Sequence, residues 1–139
     1  MSLFIPLWLS LLTYVSLYPT LSVLETDQCP PYTEGYVKGE QVYVCTNHTL
    51  PRDTIVNHEV VHLIQSNLGV DFILPDTVLT WLVHNTLTEA EVLPVLVHYN
   101  EAQHNPELEA RVLQKLHPRV IMTLLRISQD YATITAGQR

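Results

Sequence analysis

The sequence predicts a mainly helical α+β domain with one small β-hairpin ahead of a long helix. Beyond Pro51, apolar residues recur at helical spacing over most of the chain. Residues 35–45 instead read as strand, turn and strand, because apolar and polar residues alternate after the Lys38-Gly39-Glu40 turn. Strands and helices do not alternate along the chain, which argues against a parallel sheet.

The composition is that of a folded protein with a single core. The chain has 139 residues, of which 47% are hydrophobic and 15% charged. Its formal net charge is -7 and it has no cluster of Lys or Arg, so we expect no binding to nucleic acid or nonspecific binding to anionic membranes. We divide it into an apolar segment at 1–24, one domain at 25–130 and a polar tail at 131–139.

The amino-terminal segment has two interpretations. Residues 2–24 carry no charged side chain, and this length suits a secretory signal or a membrane anchor. No Lys or Arg precedes the apolar run, and Pro6 and Pro19 interrupt it, so a segment that packs onto the domain or onto a partner is the alternative. The first interpretation predicts a secreted or membrane-anchored protein with membrane contact through residues 3–24, and the second a virion or intracellular one.

A polar loop with Pro30 and Pro31 is expected at residues 25–34. Cys29 and Cys45 flank a short segment that can fold back on itself. A disulfide between them and two free thiols are both compatible with the sequence.

The first long helix carries the motif that dominates the sequence. Pro51 suits its first turn and Gly69 its end. His58-Glu59-Val60-Val61-His62 reads H-E-x-x-H, so on a helix the two histidines project from one face and can hold one Zn²⁺, with Glu59 beside them as a base. An apolar stripe runs along the same helix at Ile55, Val56, Val60, Leu63 and Ile64.

Further helices follow the motif. One is expected from Pro75, and the Thr-x-x-Glu of Thr88 and Glu91 predicts the capping box of another. A break at His104-Asn105-Pro106 should precede a helix that opens at Pro106. A last apolar helix is expected at residues 120–127, followed by a polar, frayed tail from Ser128.

A catalytic zinc site needs a third protein ligand, and two glutamates are candidates. The H-E-x-x-H motif followed by Glu107-Leu108-Glu109-Ala110-Arg111 resembles the gluzincin zinc metallopeptidases, which take a glutamate ligand from a separate, later helix. The resemblance implies a helical metallopeptidase-like domain with Glu107 as the ligand. The chain departs from the family pattern at Arg111, where Asp is common. Periodicity alone favours Glu109, which lies on the apolar face of that helix.

The remaining histidines are expected to be surface or packed residues. Of these, His98 and His104 precede the third-ligand helix closely, and they or Tyr99 are candidate donors to a developing oxyanion.

We therefore expect a zinc metallopeptidase that acts on peptides or proteins, with Glu59 as general base. The alternative is a non-catalytic, metallopeptidase-like structural or interaction protein, for example a component of a larger assembly such as a virus particle.

Overall fold

A computed structural model describes residues 21–137, and it confirms the predicted mainly helical α+β fold. Within that range a three-stranded sheet precedes five helices. The strands are β1 (Ser22–Thr26), β2 (Gly35–Lys38) and β3 (Gln41–Cys45), and the helices are α1 (Arg52–Leu68), α2 (Asp76–Thr86), α3 (Glu89–His98), α4 (Glu101–Leu113) and α5 (Pro118–Ala136).

The sheet contains the predicted hairpin and one strand that the sequence analysis missed. β2 and β3 pair antiparallel, and Gly39 takes the turn with φ +63°. β1 pairs with β3 in parallel, which gives the strand order β1-β3-β2. The prediction against parallel strands was wrong for this pair, because β2 connects β1 to β3 without a helical crossover and because Leu21 and Val23 pack onto the core.

Helix α1 lies at the centre of the molecule. It packs against the sheet on one side and against α4 and α5 on the other. These elements bury its aliphatic side chains. Fully burying one such side chain stabilises the fold by about 1.5–3 kcal/mol. The core is formed by aliphatic residues from β3, α1, α4 and α5, chiefly Val42, Val44, Val56, Val60, Val61, Ile64, Ala110, Ile121 and Leu125.

A disulfide and a set of hydrogen bonds hold the loop before β2. Cys29 and Cys45 form a disulfide, so the loop is joined to the end of β3. The Glu34 carboxylate accepts hydrogen bonds from the backbone and hydroxyl of Thr49 and from the backbone N–H of Leu50. Burial opposes the charge of Glu34, but these hydrogen bonds hold its pKa below the usual value.

Two helices extend beyond their predicted limits. α4 begins at Glu101 and contains Pro106, where the sequence analysis had placed the helix start. The lost backbone hydrogen bond is tolerated because the following turn is buried against α1. α5 continues to Ala136, so the expectation of a frayed tail from Ser128 was wrong as far as that residue. Ser128 is buried and accepts a hydrogen bond from Asn67 of α1, which ties this part of α5 to the core.

The signal, anchor or packing segment predicted at 1–24 lies almost wholly outside the described residues, as do the last two residues of the chain. None of the five helices within 21–137 has the length and apolar character needed to cross a bilayer.

We expect Gly35→Ala to destabilise the protein, because an added Cβ would lie 2.6 Å from Ile55 Cγ2 and 2.9 Å from the Tyr43 carbonyl oxygen. Overpacking of this kind costs about 1–3 kcal/mol, measurable by urea denaturation. Gly137→Ala is the matched control, since its Cβ would lie 3.6 Å from the Ile134 carbonyl oxygen, which is an ordinary van der Waals contact. Wild-type stability in Gly35→Ala would contradict the close approach of β2 to α1.

Candidate metal centre

His58 and His62 project from the same face of α1, one turn apart, and α4 brings Glu107 between them. His58 Nε2 lies 3.1 Å from Glu107 Oε2, and His62 Nε2 lies 2.9 Å from Glu107 Oε1. The two Nε2 atoms are 3.3 Å apart. Ligand atoms of all three residues lie within 4.8 Å of one another, so the group could hold a metal ion.

Each histidine is oriented by an amide oxygen on its other ring nitrogen. His58 Nδ1 lies 2.8 Å from Gln114 Oε1, and His62 Nδ1 lies 2.9 Å from Gln65 Oε1. A carbonyl oxygen only accepts, so each Nδ1 must carry the proton and donate. Each Nε2 atom then faces the Glu107 carboxylate, to which it donates when the ring is protonated, and it offers a lone pair to a cation when the ring is neutral. Three electron-pair donors directed at one point are the arrangement that binds a cation.

The Glu107 carboxylate makes the group attractive to positive charge, as the pKa shifts of His62 and Glu107 indicate. Burial disfavours the charged form of His62, yet the adjacent Glu107 carboxylate raises its pKa to about 9. Burial likewise opposes the charge on Glu107, but hydrogen bonds from His58 and His62 hold its pKa well below the usual range. The carboxylate thus remains charged, as a metal ligand must be.

Glu109, the rival third ligand, is held elsewhere. It is fully buried and accepts hydrogen bonds from the backbone N–H groups of Ile73, at 2.7 Å, and Leu74, at 2.8 Å. The Gln65 amide also donates to it, at 3.1 Å. Periodicity correctly indicated that Glu109 is buried, but its partners are the α1–α2 connection and an amide. It therefore supports the site indirectly, by fixing the direction of the Gln65 oxygen.

Gln65 and Gln114 are residues that the sequence analysis missed. Arg111 occupies the position where the gluzincin pattern, which the sequence resembles, commonly has Asp. Gln114, three residues later on the same chain segment, supplies an acceptor for His58. The position of Gln114 is fixed in turn by Asn57, whose side-chain amide donates to the Gln114 and Leu116 carbonyls at 3.1 and 2.9 Å.

The candidate metal group borders a cleft of about 920 Å³ between α4 and the loop before β2. His58, Glu59 and Glu107 line this cleft. Glu59 is only 8% exposed, and burial raises its pKa against the opposing effect of the two histidines.

The three candidate oxyanion donors are placed differently. His98 and Tyr99 line the cleft, and the His98 ring stacks on Tyr32 at a centroid distance of 5.3 Å. His104 does not line the cleft. Its Nε2 lies 2.9 Å from the Tyr99 carbonyl oxygen. Burial raises the pKa of Tyr99, followed by the effect of Glu107, so its hydroxyl keeps its proton at neutral pH.

No protein-family model, curated protein or solved structure matches the chain. The fold and the site define a mainly helical α+β protein with a candidate metal centre of two histidines and a glutamate.

Alanine substitution should separate the two glutamates. We expect Glu107→Ala to lose metal while keeping its fold, because it removes one of three converging donors. Glu109→Ala should instead lower stability, since each buried N–H left without a partner costs about 1–3 kcal/mol. Metal titration and thermal unfolding of both variants test this. Full metal affinity in Glu107→Ala would contradict the assignment.

The orienting role of Gln114 can be tested with Gln114→Leu. Loss of the acceptor for His58 Nδ1 should weaken metal binding by about 10–100-fold, as measured by competition with a chelating dye. Gln103→Leu, at an exposed position of α4, is the control and should bind metal as the wild type does.

Proposed function

We propose that this protein is a zinc-dependent metallopeptidase of the gluzincin type, with His58, His62 and Glu107 as zinc ligands. The convergence of two Nε2 atoms and a carboxylate beside a cleft carries this proposal. A two-nitrogen, one-oxygen set with one position left for water is a common catalytic zinc site. Zinc bound there would lower the pKa of its water and polarise the scissile carbonyl.

Glu59 is the proposed general base. It follows His58 directly and lines the cleft, so its carboxylate can reach a water molecule held beside the ligands. Burial raises the pKa of Glu59, and a carboxylate with a raised pKa is a stronger base toward water and can then pass the proton to the leaving amine.

The wall of the cleft suits an extended peptide. β2 is an edge strand, and Glu34 and Gly35 at its start line the cleft. A peptide added along this edge would pair with backbone groups of β2, as in β-augmentation. The protonated Tyr99 hydroxyl and the His98 ring are the donors available to a developing oxyanion, whereas His104 is engaged with a backbone carbonyl.

The second candidate is a non-catalytic structural or interaction protein that belongs to a larger assembly, such as a virus particle. Large apolar side chains exposed on three helices favour it: Trp81 on α2 is 62% exposed, Val97 on α3 72% and Ile134 on α5 62%. Such surfaces often mark contacts with other proteins. The disulfide fits passage through an oxidising compartment, and so a secreted or membrane-anchored location.

Glu59→Gln tests the peptidase proposal. The variant should bind zinc as the wild type does, while hydrolysis of a generic peptide library falls by at least about 100-fold, because the amide cannot accept the proton. Mass spectrometry of the products and metal analysis measure the two effects.

Glu101→Gln is the matched control, since Glu101 is exposed and does not line the cleft. Undiminished hydrolysis by Glu59→Gln would contradict the mechanism. A zinc-loaded wild-type protein that cleaves no peptide would favour the structural candidate.

A further inference from the structure

Arg111 is a cleft residue that the proposed hydrolysis does not use. It lies on α4 four residues after Glu107, so the two side chains project from the same face of the helix. Both residues line the cleft. A guanidinium therefore lies on the wall that also supplies the third candidate metal ligand.

The Arg111 guanidinium lacks a protein acceptor in the described part of the chain. Its Nε is buried and has no hydrogen-bond partner within residues 21–137, and no ion pair in that range includes Arg111. A buried N–H without an acceptor is costly, so the site favours a ligand that supplies one.

Within residues 21–137, the carboxylates that line the cleft with Arg111 are those of Asp27, Glu34, Glu59 and Glu107, and none of them forms an ion pair with it. Glu107 is shared by the two histidines, and Glu34 accepts from Thr49 and Leu50. Among the described residues that line the cleft, Arg111 is the only Lys or Arg. The cleft thus presents one fixed positive charge whose forked donors match a carboxylate.

We propose that Arg111 binds a substrate carboxylate on the residue that follows the scissile bond. This inference rests on the proposed peptidase function and names its substrate class as peptides with a carboxylate at that position. Residues four apart on a helix have Cβ atoms about 5–6 Å from each other, and one residue of extended peptide spans about 3.3–3.6 Å. A peptide whose carbonyl lies at the metal group therefore places the next residue within reach of the long Arg111 side chain.

Two sources can supply this carboxylate. The α-carboxylate of a carboxy-terminal residue would make the protein an exopeptidase that releases one residue at a time. An Asp or Glu side chain would make it an endopeptidase with an acidic preference. Both use the same guanidinium contact, and matched peptides separate them.

The test measures binding to the full-length, zinc-loaded Glu59→Gln protein, so that peptides bind without turnover. The probes are acetylated tetrapeptides of one neutral sequence, as the free acid and as the amide, and an amidated pair with internal Asp or Asn. Isothermal titration calorimetry should show at least about tenfold tighter binding of one charged member over its neutral partner. The pair that shows the preference identifies the source.

Substitution of Arg111 connects the preference to this residue. Arg111→Gln should reduce it to less than about threefold, whereas the exposed Arg126→Gln on α5 should leave it unchanged. Arg111→Lys keeps the positive charge without the paired donors of the guanidinium and should give an intermediate preference. This second variant keeps the test decisive if Arg111→Gln fails to fold.

Equal affinity for both members of each pair in the Arg111-containing protein would overturn the proposal. A preference that persists in Arg111→Gln would also overturn it, because the carboxylate would then be bound by the metal. Hydrolysis of the same peptides by the protein with Glu59 intact is a separate measurement. A preference that depends on Arg111 without any hydrolysis would contradict the peptidase function and leave the carboxylate site in place.

Discussion

The contact between α1 and α4 is the constraint on which the candidate site depends. Its centre is the fully buried Glu109 carboxylate, which accepts from the α1–α2 connection and from Gln65. Because a buried carboxylate is stable only when its oxygens are hydrogen-bonded, these donors fix where α4 lies against α1. That position brings Glu107, two residues earlier, between His58 and His62. Glu109, which holds α4 against α1, and Glu107, which is available to a metal, are thus on one helix but have separate partners.

Local spacing made part of this arrangement predictable. The His58–His62 pair needs only a helix, and the hairpin of β2 and β3 needs only alternation and a glycine turn. Periodicity favoured Glu109 and correctly indicated its burial, but it did not identify the residue that meets the histidines, because Glu107 also faces α1 and only the partners distinguish the two glutamates. β1, the start of α4 and the end of α5 depend on packing between distant segments. Neither amide that orients a histidine has a sequence signal beyond the fact that Gln65 follows His62 by three residues.

The proposed chemistry divides between two walls of the cleft. α1 and α4, which pack against each other, supply the candidate ligands, the proposed base and the Arg111 guanidinium. The opposite wall is the loop and edge strand that would meet the peptide backbone. In this proposal the reacting groups lie on the helices and the groups that align the peptide lie on the loop and edge strand. Reacting groups need fixed orientations, which the amides of Gln65 and Gln114 give to the two histidines.

The Cys29–Cys45 disulfide gives that second wall a stability of its own. It closes a segment with a sequence separation of 16 residues, and a crosslink over a loop of that size stabilises by about 3 kcal/mol in the chain-entropy view. The crosslinked segment ends just ahead of the helix that carries His58, and it includes the hairpin that faces the cleft. The shape of this wall is therefore connected to the oxidation state of the surroundings, whereas the histidine pair is held by helix packing and by the side chains of Gln65 and Gln114. Reduction of the disulfide by thiols would therefore loosen the entrance of the cleft before it affects the His58–His62–Glu107 group.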